Sequence, residues 1–221
     1  MANSKAAETP AKNLIRFNIR NAKFAFPDGN GGYGAFVPMG TSTKMALETD
    51  TAEKEVYGDG ECIVHYINEK GKTGTLTQNN ICDKYEIECG RQVMTNDGLA
   101  QVKPTKNTPH IIYFETCAMD GDNEISVAKT ILYGVTSTRP AENYDQNNGD
   151  INESSFDVPL KIKGVKALAA DGKVFVDAKG NNRIVWQLTK TPDMDGYADF
   201  GNEVIIPKLL AGAETDTNAG A

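Results

Sequence analysis

Residues 41–90 read TSTKMALETDTAEKEVYGDGECIVHYINEKGKTGTLTQNNICDKYEIECG. Met45, Leu47 and Thr49 alternate with Lys44, Ala46 and Glu48, the period-2 pattern of a half-buried strand. Glu53, Glu55 and Tyr57 alternate in the same way with Lys54 and Val56. After the Gly58-Asp59-Gly60 break, Cys62, Val64 and Tyr66 alternate with Glu61, Ile63, His65 and Ile67. Asn68-Glu69-Lys70-Gly71 predicts a turn, because Asn and Gly tolerate positive φ, and Thr73, Thr75 and Thr77 then run back along one face. A short helix follows. Asn80 is placed to cap it, with Asp83 in the capping-box position. Ile81, Tyr85 and Cys89 fall one turn apart, and Gly90 is placed to end the helix in the left-handed conformation. The stretch therefore predicts two or three antiparallel strands feeding one short helix.

Upstream, residues 1–13 are small and polar and read as a flexible arm, and Ile15, Phe17 and Ile19 alternate along a first strand over 14–20, with its extension to Phe26 left open. The glycine-rich run 27–34 lacks the Lys and Ser/Thr of a phosphate-binding loop and reads as a connection. Downstream, 91–108 is polar and broken by Gly98 and Pro104. Residues 111–119 and 125–135 predict a hairpin across Asp120-Gly121-Asp122-Asn123. Residues 136–155, TSTRPAENYDQNNGDINESS, hold almost no apolar side chain and read as one long loop. Phe156, Val158, Leu160 and Ile162 alternate cleanly, and Pro159, which lacks a donor, requires a sheet edge or bulge. Residues 173–178 and 183–189 predict a further hairpin, with Ile184, Trp186 and Leu188 on one face. Residues 191–207 read as a turn and a last strand, and 211–221 as a flexible tail. Trp186, Phe156 and Tyr85 are the expected core anchors. The whole is a mainly β chain: an antiparallel sandwich or partial barrel over 14–210 with one flanking short helix.

The chain of 221 residues carries a net charge of −7, and so acidic a balance is poorly suited to gripping nucleic acid. No apolar run is long enough to span a bilayer and none after Met1 reads as a secretion signal, so a cytosolic, reducing site of synthesis is expected. Cys62, Cys82, Cys89 and Cys117 then read as small buried hydrophobes. Cys62 and His65, an odd number apart on a strand, are expected on opposite faces, which argues against a zinc site with Cys82 and Cys89. Asp193-Met194-Asp195-Gly196 and Asp120 to Glu124 depart from the calcium-loop spacing and read as turns. With two histidines and no Gly-x-Ser-x-Gly motif, neither an enzyme nor a cofactor is expected.

The strand KMALETDTAEKEVYGDG, its hairpin, the short acidic helix closing on Gly90, the second hairpin with its long excursion, and the closing aromatic pair before a short apolar strand and Pro207 together resemble the major tail protein of long-tailed, siphovirus-type bacteriophages, the subunit of the tail tube. That resemblance implies homo-hexameric rings stacking into a hollow conduit for DNA, in the virion, after assembly in the host cytoplasm. It implies tape-measure and tail-terminator proteins as partners, only transient contact with DNA, and no membrane. A tube wall must not retain phosphate, so Glu48, Asp50, Glu53, Glu55, Asp59 and Glu61 become candidates for facing the lumen. Arg139, Glu142, Tyr144, Asp145, Asn148 and Asp150 in the long loop become candidates for contacts between rings. Tube proteins of phage-tail-like bacteriocins or secretion devices share the pattern. A β-sandwich binding module, carbohydrate-binding or adhesin-like, is the alternative from another class.

Overall fold

The computed structural model describes residues 16–59, 61–120, 123–142, 155–177 and 179–209. One antiparallel sheet dominates. Its strands are β1 (Arg16–Ala25), β2 (Val37–Pro38), β3 (Ser42–Gly58), β4 (Glu61–Gln78), β7 (His110–Asp120), β8 (Asn123–Ser137) and β9 (Phe156–Ile162). Their spatial order is β2-β1-β7-β8-β9-β4-β3. The helix α1 (Asp83–Glu88) and the small hairpin β5 (Gln92–Thr95) and β6 (Gly98–Gln101) lie between β4 and β7 in the chain. After β9 come β10 (Val165–Lys166), β11 (Ile184–Val185), which pairs with it, and β12 (Gln187–Lys190), which pairs with β8 at 129–132. The β9 ladder takes over the same edge of β8 at 135–137. The sheet curls until β1 meets β3, leaving a cleft of about 380 Å³ lined by Ile19, Met45, Leu47 and Phe114. The expected mainly antiparallel β fold, a partial barrel with one short helix, is what this chain forms.

Each face of the sheet has its own core. On the inner face, Ile19, Phe24, Leu76, Ile112, Phe114, Leu132, Val158, Leu160 and Ile162 pack together under Tyr85 and Cys89 of the helical segment. On the outer face, Ala25, Ile111, Tyr113, Ile131 and Tyr133 pack under Phe200, Val185, Leu188 and Val204 of the C-terminal segment. The middle of the sheet is covered on both sides, which is why β7 opens with the unbroken run His110-Ile111-Ile112-Tyr113-Phe114. β9 is covered on one side only, and its buried residues alternate strictly.

Several expectations are corrected. β1 runs from 16 to 25 without simple alternation, because bulges at Asn18 and Asn21, both at positive φ, shift its register against β7. Asn68-Glu69-Lys70-Gly71 is not a turn: β4 passes straight through it, and Lys70 is the extra residue of a bulge between the pairs Asp50↔Gly71 and Thr51↔Glu69. Gly71 stands there because a Cβ would lie 2.4 Å from the Ile162 carbonyl oxygen and its φ is +144°. The residue preceding α1 is Cys82, with no side-chain cap, not Asn80; Gly90 does take the left-handed conformation at φ +70°. The 91–108 stretch holds β5 and β6. Pro159 sits beside the missing part of a ladder: its carbonyl accepts from Thr138 N, and pairing with β8 begins only at Leu160. The 173–189 hairpin survives only as bridges such as Val176↔Asn182, because β11 and β12 pair with different strands. Trp186 accordingly packs on the inner core and Leu188 on the outer one, while Ile184 is exposed. Residues 191–203 form turns with a Phe200↔Glu203 bridge, and 204–207 run on without regular structure where a last strand was expected.

Candidate functional site

β3 and β4 pair along their whole length, from Ser42↔Gln78 to Gly58↔Glu61. The third strand, β9, pairs β4 only over 72–78. Beyond Asp50 and Gly71 the hairpin is therefore a bare two-stranded ribbon, reaching roughly 30 Å at ~3.3 Å per residue. Every residue from 61 to 70 is exposed, as are 48–51 and 53–57. Six large apolar side chains on this arm, Val56, Tyr57, Ile63, Val64, Tyr66 and Ile67, are between 46 % and 66 % exposed. A lone hairpin is at best marginally stable in water, and exposed apolar side chains gathered on such an arm make it a candidate interaction surface.

The register gives the arm two unlike faces. Ala52, Lys54 and Val56 stand opposite Asn68, Tyr66 and Val64, so this face is apolar with a single charge. Glu53, Glu55 and Tyr57 stand opposite Ile67, His65 and Cys62 on the other. There His65 Nε2 lies 3.8 Å from Glu53 Oε2, and the Tyr57 hydroxyl donates to the Glu55 carboxylate. That bond raises the Tyr57 pKa above its ordinary value, with a smaller contribution from burial. The six acidic candidates thus do not share one surface. Glu53 and Glu55 lie on the acidic face, Glu48 and Asp50 at the base of the apolar one, and Asp59 and Glu61 at the tip, where Asp59 holds φ +52°.

The same register corrects two cysteine expectations. Ile63 is a bulge residue between Val56↔Val64 and Tyr57↔Cys62, so Cys62 and His65 share a face after all. Cys62 is exposed and Cys82 half-buried; only Cys89 and Cys117 are buried. Among the described residues no group of three His, Cys, Asp or Glu is arranged to hold a metal ion, and no helix is long and apolar enough to cross a membrane.

β8 runs to Ser137, so the long excursion starts two residues later than expected. Of its candidates, Arg139 is half-buried and donates from Nη2 to the carbonyls of Arg91 (2.7 Å) and Val102 (3.1 Å), and Glu142 accepts from Gln101 at 2.8 Å. Tyr144, Asp145, Asn148 and Asp150 lie outside the described residues. Tyr85 and Phe156 are buried, and Trp186 is half-buried.

A buried polar cluster ties α1 to the end of β8. Arg91 donates from Nε and Nη2 to the Glu86 carboxylate (2.7 and 2.6 Å) and from Nη1 to Ser137. The Tyr85 hydroxyl lies 2.7 Å from His110 Nε2 and 2.8 Å from Ser137 Oγ. His110 Nδ1 donates to the Thr108 carbonyl, which can only accept, so Nε2 is the acceptor toward Tyr85. Burial pulls the His110 pKa down to about 4, and Arg91 adds to this while the Thr108 bond opposes it. Burial pushes the Cys89 thiol and the Tyr85 phenol up, the reverse of what an activated nucleophile needs. These groups satisfy one another and hold the helix in place. Reading the sequence alone missed this cluster, whose members come from three separate segments, 85–91, 108–110 and Ser137.

No family model and no curated protein matches the chain. A cryo-EM structure of the anti-feeding prophage baseplate, six-fold symmetrised, contains a chain with 9 % identity and a TM-score of 0.38; the match covers 84 % of this chain and 99 % of that one. That similarity is too low to bear on function.

Proposed function

We propose that this chain is a self-assembling structural subunit of a phage tail or phage-tail-like particle. More finely, its hexameric rings stack into a hollow tube through which DNA passes. The observation that carries the reading is the bare ribbon, whose apolar face of Val56, Val64 and Tyr66 has no cover among the described residues. Exposed apolar side chains gathered on one face of a charged protein are stabilised when another molecule covers them. The arm's other face presents the exposed carboxylates of Glu53 and Glu55, which suits the lining of a passage for a polyanion. The resemblance read from 41–90 supplies the finer geometry: copies of itself as the main partner, tape-measure and terminator proteins at the ends, and DNA in passing. The part played is mechanical, without turnover, and the protein resides in the particle after assembly in the host cytoplasm.

Electron microscopy of the purified chain at rising concentration, with sedimentation velocity beside it, tests this. Rings or tubes that disappear when Val64 and Tyr66 are both changed to Lys support it. A chain that stays monomeric at every concentration refutes it, and a monomer that binds glycan turns the reading to the sandwich module.

A further inference from the structure

The body carries a second feature shaped to receive something. A cavity of about 300 Å³ opens between the end of α1, residues 104–107 and the end of β8, lined among others by Cys89, Arg91, Lys106, Ser137, Thr138 and Arg139. Its floor is rigid, because Arg91 is clasped by Glu86 and bonded to Ser137. Its rim is cationic. Arg139 is held in place through Nη2 by two backbone carbonyls, and Lys106 is exposed beside it. Among the described residues neither Lys106 nor Arg139 is in an ion pair. The charge of Arg91 is neutralised by Glu86, so this rim is a local positive spot on a chain of net charge −7.

The arm tip is its chemical complement. Between 53 and 61 it carries Glu53, Glu55, Asp59 and Glu61 against Lys54 alone. In the sequence Gly58 and Gly60 flank Asp59, so no neighbouring side chain adds bulk beside its carboxylate. Asp59 and Glu61 are exposed, and the ribbon is paired to its end, so the tip does not fold back on its own body. Acidic arms repel one another, which disfavours tip-to-tip association and favours a cationic receiver.

We infer that the arm tip of one copy docks in this cavity of the next, with Asp59 and Glu61 against Lys106 and Arg139. The inference rests on the self-assembly reading above and names the receiving surface. Tip and cavity are different surfaces of the same chain, so the contact is head-to-tail and propagates from copy to copy.

The test uses the full chain with Cys62→Ser and Cys82→Ser, to which Asp59→Cys and Lys106→Cys are added. Under conditions in which the wild type assembles, oxidation is expected to give a ladder of covalent oligomers on a non-reducing gel. In parallel, Asp59→Lys with Glu61→Lys, and Lys106→Glu alone, are each expected to raise the concentration needed for assembly about tenfold or more. Combining them is expected to restore most of the loss, with circular dichroism confirming that every variant is folded. Arg139 is left untouched because its side chain also supports the local backbone. Wild-type assembly with neither a ladder nor any effect of tip reversal overturns this inference and leaves the assembly reading standing. Loss of assembly that the combined variant does not restore, without a ladder, also overturns it. A wild-type chain that never assembles overturns both.

Discussion

Replacing Glu86 by Gln removes one charge from a pair whose side chains are only 3 % and 4 % exposed. The bidentate contact, at 2.6 and 2.7 Å, places both partners in a site where water cannot take over. An exposed pair of the same geometry contributes about 0–1 kcal/mol. A buried one broken on one side costs roughly 3–5 kcal/mol, because the remaining guanidinium stays desolvated and unpaired. A domain of this size has roughly 5–15 kcal/mol to lose, and each kcal/mol shifts its melting temperature by about 2–4 °C. Glu86→Gln should therefore lower Tm by roughly 6–20 °C. Arg91→Met should cost at least as much, since it also strips the Ser137 carbonyl and hydroxyl of their Nη1 donor. Glu86→Leu combined with Arg91→Met should cost clearly less than the two losses added together, because the double change leaves no buried charge alone. Urea unfolding at pH 7, with midpoints compared at unchanged m, measures all three. A Glu86→Gln chain within about 0.5 kcal/mol of wild type would refute the reasoning.

The imidazole of His110 stays neutral in the fold at a pKa of about 4, against an ordinary value of about 6.5, so the unfolded chain binds the extra proton between those values. Its contribution is complete above pH ~6.5 and is lost as pH falls toward ~4, a total of about 3 kcal/mol. Urea midpoints from pH 7 to 4.5 should fall in the wild type and fall less in His110→Gln; parallel slopes would contradict this. Gly134 holds φ +61°, and a Cβ there would lie 2.3 Å from the Gly164 carbonyl oxygen, so Gly134→Ala should destabilise by about 2 kcal/mol or more, read by the same titration. Val64→Lys with Tyr66→Lys should leave the unfolding midpoint within about 0.5 kcal/mol of wild type while abolishing large species in sedimentation velocity; a lost midpoint would mean the arm stabilises the body.

The parts of the fold that could be read from the residues are those where one side chain in two meets a core. β9 and the body half of β3 obey that rule and were located to within a residue or two. The β7 and β8 hairpin was legible from its turn and its apolar runs. Reading failed where local chemistry serves a distant neighbour. Gly71 looks like a turn glycine, but it is there to let Ile162 approach. The run Arg183–Thr189 looks like one strand, but β10 takes its first half and β8 its second. Residues 62–67 carry apolar side chains at nearly every position, a pattern of strands covered on both faces, yet among the described residues nothing covers them and all are exposed. The buried cluster of Glu86, Arg91, His110 and Ser137 has no spacing signature, because apart from the Glu86–Arg91 pair its contacts are made between segments rather than along one.

The arm also explains the placement of the acidic residues better than composition does. β3 ends the sheet, so among the described residues no further strand pairs with its outer edge, a template for indiscriminate strand addition. Glu48, Asp50, Glu53 and Glu55 are spaced along that same strand, on both of its faces. Two such edges brought side by side would set like charges against each other within a few ångströms, whichever face led. The apolar face of Val56, Val64 and Tyr66 still demands cover, but the acids forbid the nearest source of it, a second arm. On the self-assembly proposed above, the cover left to it is a surface on the body of another copy, and association of that kind extends in one direction instead of closing a pair.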